Sequence, residues 1–246
     1  MEERVLGGGA VNQVVRVGTT VRRRPSERSG YVRELLAHFE SRGWEGAPRH
    51  LGTDQQGREV FGYVEGRVAI TPRERAAACT DAGLLRVVQL VRAVHDMTHG
   101  TPLAAGLDVV CHNDLAPKNT VYTVEDGDWW PTALIDWDLA APGERVHDLA
   151  HLCWQYLDLG PGVGDVAEAA RRIALVLDAY GPCLGGEGIV DVILWWQDRC
   201  LRGIEEGAAR GEASMLGLRE RGAVDDVRNA YAWTAEHRRE LGAFLR

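Results

Sequence analysis

An aspartate, an asparagine and a second aspartate stand at a spacing that can hold a hard cation beside a hydroxyl group. Asp114 and Asn119 frame the stretch Cys111-His112-Asn113-Asp114-Leu115-Ala116-Pro117-Lys118-Asn119, and Asp136 follows in Leu134-Ile135-Asp136-Trp137-Asp138. Residues 120–124 and 132–135 read as two strands joined by the turn signal Glu125-Asp126-Gly127-Asp128. Asn119 starts one arm and Asp136 ends the other, and neighbouring strands lie ~4.8 Å apart, so the two side chains can converge. An Asp and an Asn oxygen, completed by waters and phosphates, suit Mg²⁺ rather than a soft metal. Asp114, on a loop stiffened by Pro117, is placed to meet a hydroxyl near that ion. The bland alternative is that all three residues cap turns and strand ends.

The elements around these residues fall into two kinds. Residues 3–24 read as short β-branched strands and turns, residues 31–42 as a helix with Val32, Leu35, Leu36 and Phe39 on one stripe, and residues 58–64 as a further strand. From Thr71-Pro72, a capped helix start with Glu74 three residues after the cap, the pattern becomes mostly helical. Leu84, Val87, Val88, Val91 and Val94 mark one apolar face. Val166 to Tyr180, Ile189 to Trp196, and Val224, Val227 and Tyr231 mark others. The reading is an α+β chain in two lobes: a β-rich N-terminal lobe over residues 1–66 and a larger, mostly helical lobe over residues 67–246. Small-molecule sites favour such junctions.

His-x-Asp-x-x-x-x-Asn followed by Ile-Asp-Trp resembles the aminoglycoside phosphotransferase family, within the protein-kinase-like fold. The resemblance spans roughly residues 5–200, with its motifs concentrated over 111–150. It implies an ATP- or GTP-dependent kinase acting on a small molecule with Mg²⁺. By that resemblance Asp114 accepts the acceptor's hydroxyl proton, Asn119 and Asp136 hold the metal, His112 shapes the loop, and Asp148 steadies the loop backbone from a helix.

The N-terminal lobe departs further from the family. Gly7-Gly8-Gly9 can serve as the loop over the phosphates, since glycine lets backbone N–H groups approach closely; the alternative is an ordinary glycine turn. The family's strand lysine is missing, because the single lysine is Lys118 and the other 27 basic residues are arginines. Arg23, two before Pro25, is its expected replacement at the phosphates, where a guanidinium binds as a fork. The family's helix glutamate falls on Val32, which leaves Glu34 as the nearby acid or else no ion pair at all. Tyr63, Val64 and Glu65 stand at the family's adenine-binding hinge. Lys118 either touches phosphate or is a solvated loop lysine, and Asp138 either helps orient the metal or cation or steadies a turn. Trp195, Trp196, Asp198 and Glu205 are expected on helices that wall the acceptor, where aromatic and acidic groups suit a cation; core packing is the alternative.

Composition sets the outer limits. The chain has 246 residues, long enough for a substantial core, and its 26% charged residues are ordinary for a globular protein. No apolar run reaches a membrane span, and no signal core opens the chain, so a cytoplasmic protein is expected. Five scattered cysteines form no CxxC pair and imply neither a disulfide framework nor structural zinc. Residues 1–102 carry a net +3 and residues 103–246 a net −11, which argues against a nucleic-acid partner and favours a cationic small-molecule acceptor. An aminoglycoside or other antibiotic fits that description. A choline-, sugar- or fructosamine-like metabolite, or a pseudokinase that binds nucleotide without catalysis, are the alternatives. Oligomeric state is not readable from these features.

Overall fold

The computed structural model describes residues 3–6, 14–181 and 188–243. Its first sheet contains β1 (Glu3–Val5), β2 (Val15–Val17), β3 (Thr20–Arg23), β4 (His50–Thr53) and β5 (Glu59–Gly62), in the antiparallel order β1-β2-β3-β5-β4. The β3–β5 register sets Val21 opposite Phe61 and Arg23 opposite Glu59. Directly opposed residues share a face of the sheet, so Arg23 and Glu59 project together.

Between β3 and β4 runs α1 (Ser29–Ser41), which starts two residues before the expected residue 31. Val32, Leu35, Leu36 and Phe39 are buried at i, i+3, i+4 and i+7, which is one face of a helix. Gly43, at φ +66°, turns the chain out of the helix, and its N–H bonds the carbonyl of Glu40 at 2.9 Å. Phe39 then packs against the rings of Trp44 (5.0 Å) and Trp137 (5.1 Å), so this helix is anchored beside the residues that follow Asp136.

After β5 the chain runs extended and pairs again at Arg67, which exchanges backbone hydrogen bonds with Tyr122 at 2.9 and 2.7 Å. Gly66 makes the approach possible. Its φ is +142°, and a Cβ there would lie 2.5 Å from Val121 Cγ1 and 2.7 Å from the Tyr122 carbonyl oxygen. Next come α2 (Pro72–Ala78) and α3 (Asp81–Thr98), the latter with the whole stripe from Leu84 to Val94 buried. β6 (Val109–Cys111) is fully buried and pairs with β9 (Ala141–Gly143). Between them lies the hairpin of β7 (Thr120–Glu125) and β8 (Asp128–Leu134), turning on Asp126 (φ +51°) and Gly127 (φ +93°) as a two-residue loop with both central residues left-handed requires. Short 3₁₀ turns at Pro117–Asn119 and Trp137–Leu139 close its two ends.

The chain divides into two compact units, Met1–Glu144 and Arg145–Arg246. The lobe division expected after residue 66 thus falls within the first unit. The second unit holds α4 (Arg145–Tyr156), α5 (Val166–Tyr180), α6 (Ile189–Ala209), α7 (Ala213–Glu220), α8 (Ala223–Glu236) and α9 (Arg238–Gly242). Its core uses the expected stripes of α5 and α6. In α8 the stripe is shifted: Tyr231 is exposed, and Ala230 and Thr234 carry the buried face with Val224. No described helix is long and apolar enough to cross a membrane.

Candidate active site

The site grows out of β6. That strand delivers His112 into the core, where its ring packs 4.5 Å from Trp137. The Asp114 backbone N–H donates to His112 Nδ1 at 3.3 Å, so in the neutral ring the proton sits on Nε2, which donates to the carbonyl of Ile135 at 3.1 Å. His112 therefore ties the loop that carries Asp114 to the strand end that carries Asp136. Asn113, at φ +62°, turns the chain between them and donates its amide to the Leu139 carbonyl at 3.0 Å. A short polar side chain is what such a left-handed position tolerates.

Pro117 opens the 3₁₀ turn that presents Asn119. The amide Nδ2 of Asn119 donates to the backbone oxygen of Asp114 at 2.9 Å and to its carboxylate Oδ2 at 2.7 Å. The Ile135 N–H in turn donates to the Asn119 backbone oxygen at 2.9 Å. With its N–H groups spent on Asp114, the side chain of Asn119 has its oxygen left to offer, and a carboxamide oxygen is a hard ligand. Lys118 is half-exposed, with Nζ 3.9 Å from Asp114 Oδ2.

Asp136 lies at φ +65° and ψ +64°, at the entry to the 3₁₀ turn of Trp137. One side of it opens to solvent, but the surrounding protein crowds the carboxyl. That partial burial, reinforced by Asp138 and then Asp114, holds its pKa above the usual carboxylate range, against the opposing pull of His112 and Arg23. Asp136 thus feels the charges of Asp138 and Asp114, and carboxylate oxygens of this kind are the chemistry that suits a hard divalent cation.

Arg23 reaches the same place from β3. Its Nη1 pairs with Asp138 Oδ1, its Nε lies 3.5 Å from Glu59 Oε2, and its guanidinium sits 4.7 Å above the Phe61 ring. The acid expected on the helix is not the one the structure supplies. Glu34 is exposed, because the inward stripe of α1 passes through Val32, Leu35 and Leu36. The acids on Arg23 are Asp138 and Glu59 instead. Glu59 escaped the sequence reading; a lone acid opening the apolar strand Glu59-Val60-Phe61 opposite an arginine-rich strand was the available signal.

At the hinge stretch, the Tyr63 N–H donates to the Thr19 carbonyl at 2.9 Å. Arg16 covers the Tyr63 ring at 3.5 Å and pairs with Glu65 at 2.9 Å, while Val64 is half-buried. Gly7, Gly8 and Gly9 lie outside the described residues. The remaining candidates belong to the second unit. Asp148 is buried in the first turn of α4. Trp196 is buried, with its indole N–H donating to the His147 carbonyl at 2.8 Å, whereas Trp195 is exposed beside Arg199. Asp198 pairs with Arg202, and Glu205 lies 3.3 Å from Arg228.

Comparison with known proteins decides the family. Residues 84–183 match the sequence model of a phosphotransferase enzyme family. The trifolitoxin immunity protein of Rhizobium leguminosarum bv. trifolii is 31% identical over 203 residues, covering 73% of this chain and 74% of that protein. The chain belongs to the aminoglycoside phosphotransferase family. Its members are small-molecule phosphotransferases, and residues 84–183 contain the Asp114, Asn119 and Asp136 cluster of this phosphotransferase. Solved structures agree on the fold. A choline/ethanolamine kinase family protein from Mesorhizobium loti superposes with a TM-score of 0.62 at 18% identity, over 99% of this chain and 92% of that one. The GDP complex of an aminoglycoside 2'-phosphotransferase-IIIa gives 0.57 at 14% identity, over 99% and 93%. The expected protein-kinase-like α+β fold is therefore the fold of this phosphotransferase.

Proposed function

We propose that this phosphotransferase moves the γ-phosphoryl group of ATP or GTP to a hydroxyl of a cationic small molecule, an aminoglycoside or another antibiotic in the first instance. The observation that carries the reading is the cluster of Asp114, Asn119 and Asp136, tied through His112 and the Ile135 backbone. Asp114 Oδ2 is held by Asn119, which leaves Oδ1 to accept the hydroxyl proton. As the acceptor oxygen bonds to the γ-phosphorus, the bond from phosphorus to the bridging oxygen breaks, and the nucleoside diphosphate leaves with that electron pair. The acceptor's proton ends on Asp114.

The crowding that raises the Asp136 carboxyl, and the amide oxygen left to Asn119, fit a Mg²⁺ ion, which when bound neutralises phosphate charge. Arg23 stands at the edge of that cluster as the cation for the phosphates in place of lysine, and Lys118 adds positive charge beside Asp114. The stretch from the Tyr63 carbonyl to Glu65 would bond the base through its backbone, the Tyr63 N–H being spent on Thr19; Asp148, buried in α4, remains a candidate within the second unit. Most of the rate enhancement would come from positioning and electrostatics.

Support for the acceptor comes from two directions. The immunity protein's name associates a relative with resistance to a toxin. The acidic balance of residues 103–246 favours a cation. In the second unit, Trp195, Trp196, Asp198 and Glu205 are the acceptor candidates, of which Trp195 is the exposed aromatic face.

The deciding experiment follows phosphate from labelled ATP and GTP, with Mg²⁺, into a panel of aminoglycosides, other antibiotics, choline and sugars. Acceptor-dependent transfer that is lost in Asp136→Ala establishes the reading and names the acceptor class. Nucleotide binding without transfer to any acceptor moves the chain to the pseudokinase reading. Absence of nucleotide binding removes the roles given to Arg23, Asn119 and Asp136.

A further inference from the structure

Glu59 is a deeply buried acid beside Arg23, at 2% exposure, and an ionised carboxylate is not held in such a place without a cation and hydrogen bonds. Among the described residues, three groups face it. Ser29, the first residue of α1 and itself buried, donates its hydroxyl to Oε2 at 2.7 Å. Arg23 Nε lies 3.5 Å from the same oxygen. His50 Nε2, on β4, lies 3.8 Å from Oε1, beyond hydrogen-bond reach, and burial lowers that imidazole's pKa. The counter-charge of Glu59 is therefore Arg23.

The geometry flanks Arg23 on two sides, while its end pairs with the partly exposed Asp138. β3–β5 pairing fixes its Cα opposite that of Glu59, Phe61 lies under the guanidinium, and the Glu59 carboxylate faces the Nε edge at 3.5 Å as an ion pair without a hydrogen bond. Nη1 pairs with Asp138 Oδ1, two residues past Asp136. Asp138 is an anion at the rim of the cluster, where the nucleotide's phosphates would arrive. α1 contributes no buried acid to this arrangement. It contributes the hydroxyl of Ser29.

We propose that Glu59 is a positioning residue for phosphoryl transfer, aiming Arg23 so that its terminal nitrogens exchange Asp138 for the nucleotide phosphates, with Ser29 coupling α1 to that aim. The inference rests on the phosphotransfer reading above and adds a division of labour to it: the acid that orients the strand cation comes from the neighbouring strand, and the helix reports through a hydrogen bond. Without the Glu59 charge, Arg23 turns wholly to Asp138 and meets the phosphates less well.

The test compares wild type, Glu59→Gln and Ser29→Ala by nucleotide binding (calorimetry with ATP and GTP in Mg²⁺) and by separate KM values for nucleotide and acceptor. Glu59→Gln keeps the volume and an oxygen for Ser29 while removing the charge. It is expected to weaken nucleotide binding and raise the nucleotide KM about tenfold, with the acceptor KM unchanged. Ser29→Ala is expected to move the same quantities the same way by about threefold, and it carries the test alone where Glu59→Gln does not fold. Wild-type nucleotide affinity in the variant that folds, or equal losses toward nucleotide and acceptor, overturns the role of Glu59 while leaving the phosphotransferase reading intact. A wild-type protein that binds neither nucleotide overturns both.

Discussion

Asn119 spends its side-chain N–H groups on one residue, donating to the Asp114 backbone oxygen at 2.9 Å and to its carboxylate Oδ2 at 2.7 Å. Both bonds close over the loop stiffened by Pro117, and the Ile135 N–H fixes the base of that loop through the Asn119 carbonyl. One amide thus orients the Asp114 carboxylate and leaves its own oxygen for another partner, which in the proposed reaction is the metal ion. The two roles are coupled: whatever displaces Asn119 also frees Asp114.

That coupling separates two variants. Asp114→Ala removes the proposed proton acceptor and is expected to lower kcat by about 10²–10⁴, the usual worth of a positioned base, with nucleotide binding retained. Asn119→Ala is expected to lower kcat and also to raise the Mg²⁺ concentration needed for half-maximal rate, because carboxylate orientation and metal affinity fall together. Steady-state rates across a magnesium titration distinguish them. An Asn119→Ala enzyme with unchanged magnesium dependence would remove the metal role from that residue.

Asp136 yields a prediction of opposite sign for stability and for activity. A carboxyl whose pKa is raised by folding stabilises the protein most when protonated, and that contribution is lost as pH rises through the raised value. At neutral pH the nucleotide-free protein therefore carries an unfavourable charge there. Asp136→Asn is expected to raise the thermal midpoint near pH 7, with the gain shrinking as pH falls into the carboxylate range. The same variant loses transfer, and it loses the stabilisation that Mg²⁺ and nucleotide give the wild type by binding the folded state. Melting curves across pH, with and without ligand, read all three effects. A variant that melts lower than wild type at neutral pH would contradict the crowding argument.

How much of this was readable beforehand depended on whether one stretch of chain carried the whole signal. The loop from Cys111 to Asn119 and the hairpin after it are local, so their spacing in sequence is nearly their spacing in space. The helical stripes of α1, α3, α5 and α6 were legible for the same reason. The partner of Arg23 was not. Glu59 meets it through strand pairing across an intervening helix and a further strand, and register of that kind leaves no periodic trace. β4 was missed as well: His50–Thr53 has only half-buried and exposed positions and a glycine at its bulge, so no apolar alternation marks it. In α8, Tyr231 matched the helical period while Ala230, a smaller residue one position earlier, took the buried place.

His112 touches both arms of the site without reaching the cluster's solvent side. It accepts from Asp114 N–H, donates to Ile135, and packs on Trp137. His112→Gln can make one of those bonds at a time. Its expected signature is a kcat lowered about tenfold to a hundredfold with both KM values close to wild type, because a small displacement of the base costs rate rather than binding. Single-turnover transfer measured beside nucleotide affinity checks it. Equal losses in rate and affinity would mean that the histidine supports the nucleotide instead.

The last prediction concerns the start of α2, which follows the extended hinge. Thr71 Oγ1 accepts from the Glu74 N–H at 3.3 Å, and Glu74 Oε2 accepts in return from the N–H groups of Thr71 (3.0 Å) and Ile70 (3.1 Å). Those backbone bonds, with help from Arg67, bring the Glu74 pKa down to about 2. A carboxyl lowered by folding gives stability that is complete above its ordinary range and is lost as pH falls toward about 2. Thr71→Ala is expected to cost about 1 kcal/mol, a drop of roughly 2–4 °C in the thermal midpoint. Glu74→Gln is expected to destabilise at neutral pH and to match the wild type as acid protonates Glu74, since both proteins then present an uncharged group to the same N–H donors. Melting curves at neutral pH and in acid test the pair, and a Glu74→Gln difference that persists undiminished into strong acid would show that the carboxylate charge at this cap contributes nothing.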